Sequence, residues 1–206
     1  MKIEIWSDIV CPWCYIGKRR LEHALDEFEH ADEVEITWRS FQLDPQAPSQ
    51  AVLTKQHLIS RFGPQGAQMS ERVAALAKEE GLDFDTEHAL SVNTFDVHRL
   101  LHLAQAEGVQ DAAKERLLRA HFSEAADLSD PETLIVLMKQ VGVSEDKTRA
   151  VIENPAEYAK DVEHDIDEAR ALGATGVPFF VIDRKYGISG AQPVETFLHA
   201  LRTAHG

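Results

Sequence analysis

"DIVCPWCYIGKRRLEHAL", residues 8–25, holds both cysteines of the 206-residue chain, three positions apart. Ahead of it "KIEIWS" (2–7) alternates like a strand, with Ile3 and Ile5 facing one way and Trp6 the other. Behind it Ile16, Arg20, Leu21, Ala24, Leu25 and Phe28 recur at three- and four-residue spacings, which predicts a helix from Pro12 to about His30. The thiols thus stand where a strand hands over to a helix. A helix N-terminus carries about +0.5 of a charge and unpaired N–H groups. A thiolate there is stabilised, and its pKa is expected to drop from ~8.5 into a range of ~3.5–7.5. Cys11 is expected to be exposed at the helix end, with Cys14 one turn in, on the same face and partly covered. That arrangement suits a disulfide opened by attack on Cys11 and reclosed when Cys14 resolves the mixed disulfide. Pro12 fits the first helical turn, where its missing N–H is no loss, and Trp13 projects beside the sulfurs.

By itself Cys-x-x-Cys stays ambiguous: half a zinc site, a structural pair or a redox pair. Two cysteines exclude a four-thiolate zinc site and the framework of a disulfide-stapled secreted domain. Zinc would need two further ligands, and His98 and His102, four apart on one helix, are the available ones. That helix is apolar over half its circumference, which favours packed or hydrogen-bonded histidines, so no metal is expected.

The composition is that of a globular chain, 44% hydrophobic and 27% charged. Its formal charge is −14, and the one basic cluster is "GKRR" at 17–20. Nucleic acid and anionic membrane, which draw affinity from clustered Lys and Arg, are therefore not expected partners. The acidity reads as solubility. No run approaches the ~20 apolar residues of a membrane span. The strand and the cysteine motif follow Met1 at once, without a leader pattern, so a cytoplasmic chain is expected.

"EVEITWRSFQL" (33–43) is a second strand, making the first forty residues β-α-β. "DPQAPSQ" (44–50) marks a boundary. Residues 45–153 then read as helical, with helices over 69–82, 91–108, 128–142 and 144–154. Asp130 and Ser144 are expected N-caps, Pro131 a first helical residue and Gly142 a stop. A helix is predicted from Pro155 to Gly173. A hairpin follows, Pro178–Asp183 and Tyr186–Ser189, then a last helix opened by Pro193. Residues 1–44 and 154–206 form one expected unit, interrupted by residues 45–153. A proline entering a strand cannot donate to a central ladder. The Val177–Pro178 bond is either trans at a strand start or cis; combined with this element order, the cis form is expected.

The β-α-β and β-β-α order, Cys-x-x-Cys at the first helix and Val-Pro before the third strand together resemble the thioredoxin fold. The interposed helices resemble the DsbA family. "SDIVCPWCYIGKRRLE", "WRSFQLDP", "NTFDVHRLLHLA" and "GATGVPFFVIDRKYGISGAQPVETF" are similar to its FrnE-like subfamily, and they span nearly the whole chain. The resemblance implies an α/β, thioredoxin-like fold with a central mixed sheet and an all-helical insertion. It implies a thiol–disulfide oxidoreductase or isomerase with Cys11 as nucleophile, Cys14 as resolving thiol and Pro178 as a cis-proline facing them. Val177 would offer its backbone to an extended substrate. Pro12, Trp13, Pro178 and Asp8 would tune the potential, and Trp13, Asn93, His98 and Phe41 would shape the substrate groove, with Leu43 beside them. Asp8 is otherwise a loop or capping carboxylate, and His98 near the sulfurs would favour a thiolate. No cofactor is implied beyond the disulfide, with glutathione an eligible co-substrate. Protein thiols or small thiols are the implied partners, and the chain would be a monomer or homodimer. Two rivals share the architecture: glutathione-dependent transferases and isomerases of the kappa and hydroxychromene-carboxylate type, which usually keep a serine at the helix start, and a non-catalytic holdase.

Overall fold

The computed structural model describes residues Met1 to Gly206. The chain runs β1 (Lys2–Ser7), α1 (Pro12–Asp26), β2 (Glu35–Ser40), β3 (Val52–Leu53), α2 (Thr54–Phe62), α3 (Gln65–Glu79) and β4 (Leu90–Ser91). It continues through α4 (Phe95–Ala106), α5 (Gln110–Phe122), α6 (Pro131–Gln140), α7 (Glu145–Glu153) and α8 (Ala159–Ala171). β5 (Phe179–Ile182), β6 (Tyr186–Ser189) and α9 (Val194–His205) close it. No helix is long and apolar enough to cross a membrane.

The main sheet is mixed, in the order β2-β1-β5-β6. β1 runs parallel to β2, with Ile5 beside Trp38, and antiparallel to β5, with Ile5 beside Phe180. Asp183 and Arg184 both take left-handed backbone, the conformation that a tight primed hairpin turn between β5 and β6 needs. Alternation along β1 feeds two cores. Ile3 and Ile5 join Trp38, Phe180 and Phe197 beneath α1 and α9, while Trp6 meets Val181 and Ala169 on the α8 side. Glu4, buried on the same face as Trp6, is answered by Arg39 and Arg184. β2 is an edge, and α5 covers it: Gln110 accepts from the Trp38 N–H and donates to the Trp38 carbonyl, both at 2.9 Å.

The largest apolar cluster holds 22 buried residues, mostly of α4, α5 and α6. Ile9, Tyr15 and Ile16, which flank the cysteines, belong to it. The interposed helices therefore pack directly on the start of α1.

Asp130 and Ser144 cap α6 and α7 by accepting the Thr133 and Lys147 N–H groups, as the sequence predicts. Several elements differ. α1 ends at Asp26, and the helix expected from Pro155 begins only at Ala159. The buried Arg99 guanidinium donates to the carbonyls of Val151, Asn154 and Glu157, which holds this stretch in turns, and Tyr158 enters α8 from left-handed backbone. The insertion is not purely helical: Val52–Leu53 and Leu90–Ser91 pair as a two-residue antiparallel ladder. α4 starts four residues later than predicted because Asn93 turns the chain ahead of it, accepting the Phe95 N–H. α2 and α5 are helices that the periodicity did not single out.

Candidate active site

Cys11 is the N-cap of α1, with Pro12 at its first position, and Cys14 lies one turn in. The two are unbonded thiols. Both are buried, which corrects the expectation of an exposed Cys11: it is 3% exposed. The loop before β5 covers it. Its Sγ donates to the Val177 carbonyl at 3.5 Å, and the Val177–Pro178 peptide is cis. α1 approaches that loop closely because residue 17 is glycine; a Cβ there would stand 3.0 Å from Pro178 and 3.3 Å from Phe180.

Cys11 nevertheless has an opening. A cavity of about 370 Å³ is lined by Val10, Cys11, Pro12 and Trp13 on one side and by Leu43, Leu58, Phe62, Val73, Phe84 and Phe122 on the other. Cys14 does not reach it. Trp13 stands half-exposed at its edge, as do Phe62 and Met69. Arg61 and His57, both bonded to Asp44, form a polar part of the wall.

Asp8 is fully buried and caps nothing. One oxygen accepts the Leu43 N–H at 2.8 Å and the other accepts His98 Nε2–H at 3.2 Å. Burial raises this carboxyl, but His98 and the Leu43 N–H outweigh it and hold Asp8 below the ordinary carboxylate value. His98 is therefore engaged with Asp8 rather than with the sulfurs. Its neighbour one turn on, His102, bonds Asp165 and Ser40, each at 3.1 Å. Neither histidine converges with the cysteines; the one group of three metal-type side chains is His30, Glu33 and His205.

Asn93 and Phe41 do not line the cavity. Asn93 ties down the chain after β2, accepting from Gln42 and donating to the Pro45 carbonyl at 3.0 Å. Phe41 packs against the Trp6, Ala169 and Val181 cluster, apolar filling rather than groove wall.

Two buried polar groups that the sequence reading missed lie under the pair. Lys114 of α5 is wholly buried and its ammonium has no hydrogen-bond partner; the Ser7 hydroxyl at the end of β1 has none either. Burial pushes the Cys14 thiol up, yet the adjoining Cys11 thiol, the Lys114 charge and Ser7 draw it below the ordinary thiol value. The hydrogen bond within the pair, burial and the Cys14 charge raise Cys11 well above it, and Asp8 adds to them. The opposite directions follow first from the hydrogen bond that the two thiols share, which favours one thiolate at the expense of the other thiol. His121, also buried against the cavity, is lowered by burial to about 4 and stays neutral.

The family model of the DSBA-like thioredoxin domain matches residues 2–202. The crystal structure of a probable DsbA oxidoreductase from Streptomyces coelicolor superposes with a TM-score of 0.95 and is 44% identical, covering 100% of this chain and 90% of that one. The cytosolic disulfide reductase DsbM of Pseudomonas aeruginosa, determined with GSH, superposes at 0.70 with 19% identity over 98% of each chain. A 2-hydroxychromene-2-carboxylate isomerase superposes at 0.66 with 14% identity over 100% of this chain and 95% of its own.

Proposed function

This chain belongs to the DSBA-like thioredoxin domain family, and we propose that it exchanges disulfides through Cys11 and Cys14. The observation that carries the reading is the unequal access of the two sulfurs: Cys11 opens on an apolar cavity, and Cys14 is sealed behind it. In the oxidising direction a substrate thiolate attacks Cys11 Sγ of the Cys11–Cys14 disulfide. The S–S bond breaks, a Cys11–substrate disulfide forms, and Cys14 leaves as a thiolate carrying the electron pair. A second substrate thiolate then attacks the substrate sulfur, releasing Cys11 and leaving the substrate oxidised by two electrons. The reverse sequence reduces a substrate disulfide.

The Val177 backbone beside Cys11 suits an extended peptide laid across the sulfur. The apolar walls and the half-exposed Trp13, Phe62 and Met69 suit apolar flanking side chains. Small thiols are the second substrate class, a reading supported by the disulfide reductase determined with GSH. The pair supplies its own redox chemistry, so the reading requires no bound cofactor, and its setting is the cytoplasm. The isomerase neighbour shares the fold, and the second cysteine separates the two readings: a glutathione-dependent isomerase does not need Cys14.

Cys11→Ser should abolish disulfide exchange, whereas Cys14→Ser should accumulate mixed disulfides at Cys11, visible as adducts by non-reducing mass spectrometry. Exchange at the wild-type rate by the Cys11→Ser protein would reverse the assignment. Full turnover by the Cys14→Ser protein would favour the isomerase.

A further inference from the structure

Beyond α1 the chain makes a short 3-10 turn, Ala31–Glu33, with His30 at its start. α9 ends beside this turn, so His205, from the far end of the sequence, meets His30 and Glu33. Each imidazole faces one oxygen of the same carboxylate. His30 Nδ1 stands 3.1 Å from Glu33 Oε1, and His205 Nε2 stands 3.4 Å from Glu33 Oε2. The two rings lie face to face, their centroids 3.8 Å apart and their planes 12° from parallel. Phe28, buried in the core beneath α1 and α9, meets both rings edge-on at 5.8 Å. It backs the pair from within, while all three polar side chains keep contact with solvent. The thiol chemistry does not use this group. Cys11 caps one end of α1 and His30 lies beyond the other, with a 15-residue helix of about 22 Å between them.

A surface histidine often meets one carboxylate, as His88 meets Asp85. The second histidine is what makes three donors converge here. Metal bonds of ~2.0–2.1 Å at tetrahedral angles hold neighbouring N and O donors about 3.3–3.4 Å apart. The two N–O separations match that spacing, and all three donor atoms lie within 4.8 Å of one another. Closing the remaining gap takes a swing of the exposed rings, which the solvent on their outer side permits. Two imidazolium rings stacked this closely repel, so the pair favours the neutral imidazole that a metal requires. Glu33 supplies the charge: the hydrogen bond from His205 first, with that from His30, holds its carboxyl below the ordinary carboxylate value. Glu29 is already taken by Arg202 at 2.6 Å.

We propose that His30, Glu33 and His205 form a site for a divalent first-row transition ion such as Zn2+, with water at the fourth position. Two imidazoles and one carboxylate suit zinc, nickel or copper, whereas calcium and magnesium seek oxygen donors alone. The bound ion ties the end of α9 to the turn after α1 and so clamps the last helix onto the main sheet's side of the molecule.

The test uses the full chain carrying Cys11→Ser and Cys14→Ser, because free thiols bind zinc themselves. Calorimetric titration with ZnCl2 near neutral pH should show one ion per chain with micromolar or tighter affinity. The melting temperature should rise with zinc and fall back with EDTA. His30→Ala and His205→Ala should each weaken zinc at least tenfold. His88→Ala, at a histidine with a single carboxylate partner, should leave the affinity unchanged. Far-UV circular dichroism checks that each variant is folded, and His205→Gln replaces His205→Ala should the latter misfold. No heat of binding at about 100 µM ion, or an affinity that survives in both the His30 and His205 variants, overturns the proposal and leaves the cluster a carboxylate-bridged histidine pair.

Discussion

The hydrogen bond between the two thiols and their burial make the sulfurs unlike, and the Asp8 charge adds to the rise at Cys11. Asp8→Asn keeps an oxygen for the Leu43 N–H but removes the charge. In a Cys14→Ser background it should move the alkylation pKa of Cys11 downward. It should cost about 1–3 kcal/mol in a urea titration, because the His98 bond loses its charged partner. A Cys11 pKa that does not move would show that Asp8 serves structure alone. At this scale the sequence carried much of the site. Cys11, Cys14 and Val177–Pro178 stand in motifs whose chemistry is local. Lys114 was not legible: inside "QDAAKERLLRAHF" a lysine reads as part of a solvated face. The signal available was its register, since Lys114, Leu118 and His121 fall on one stripe and all three are buried. Asn93 and Phe41 were assigned to the groove by resemblance, and the structure turns them to scaffolding instead.

Elements whose apolar period matched their burial were the ones read correctly. α6 and α9 each turn a regular apolar stripe to one core, and β1 and β5 alternate between the cores on the two faces of the sheet. α2 has no buried residue, so no apolar stripe announced it. α5 buries Gln110, Lys114 and His121 among its apolar residues, which breaks the stripe. The β3–β4 ladder is two residues long and leaves no period at all. The contact of α1 with the loop before β5 is the element-scale feature on which the site depends. Gly17→Ala puts a methyl group 3.0 Å from Pro178, so the loop or the helix must shift. A loss of about 1–3 kcal/mol in unfolding free energy is expected, as for other overpacked positions. Disulfide-exchange rate should fall with it, since Val177 moves relative to Cys11. Unchanged stability and rate would mean that the loop yields freely.

Over the whole molecule, packing of the interposed helices on α1 leaves several ionisable groups without water, and these set the pH response. His121 is held neutral down to about pH 4, against an ordinary value of 6.5. Between those values the unfolded chain binds a proton that the folded chain refuses, so stability declines as pH falls from about 6.5 to 4, by up to about 3 kcal/mol. His121→Leu should flatten that part of a urea-midpoint profile; an unchanged slope would place the proton uptake elsewhere. Below about pH 4 the buried carboxylates take over. Burial raises Asp165, but His102, the Ser40 N–H and Arg39 hold it below its ordinary 3.8, so its contribution is present above that value and lost as pH falls through the lower folded one.

The central claim is that Cys11 and Cys14 form a reversible redox pair. Equilibration in graded glutathione buffers, followed by an alkylating quench and a count of modified thiols by mass, tests it most directly. The account predicts one cooperative two-thiol transition within roughly −120 to −270 mV, the span of working catalysts of this chemistry. Two thiols that remain alkylatable at every ratio, or that form only separate glutathione adducts without ever joining, would contradict it.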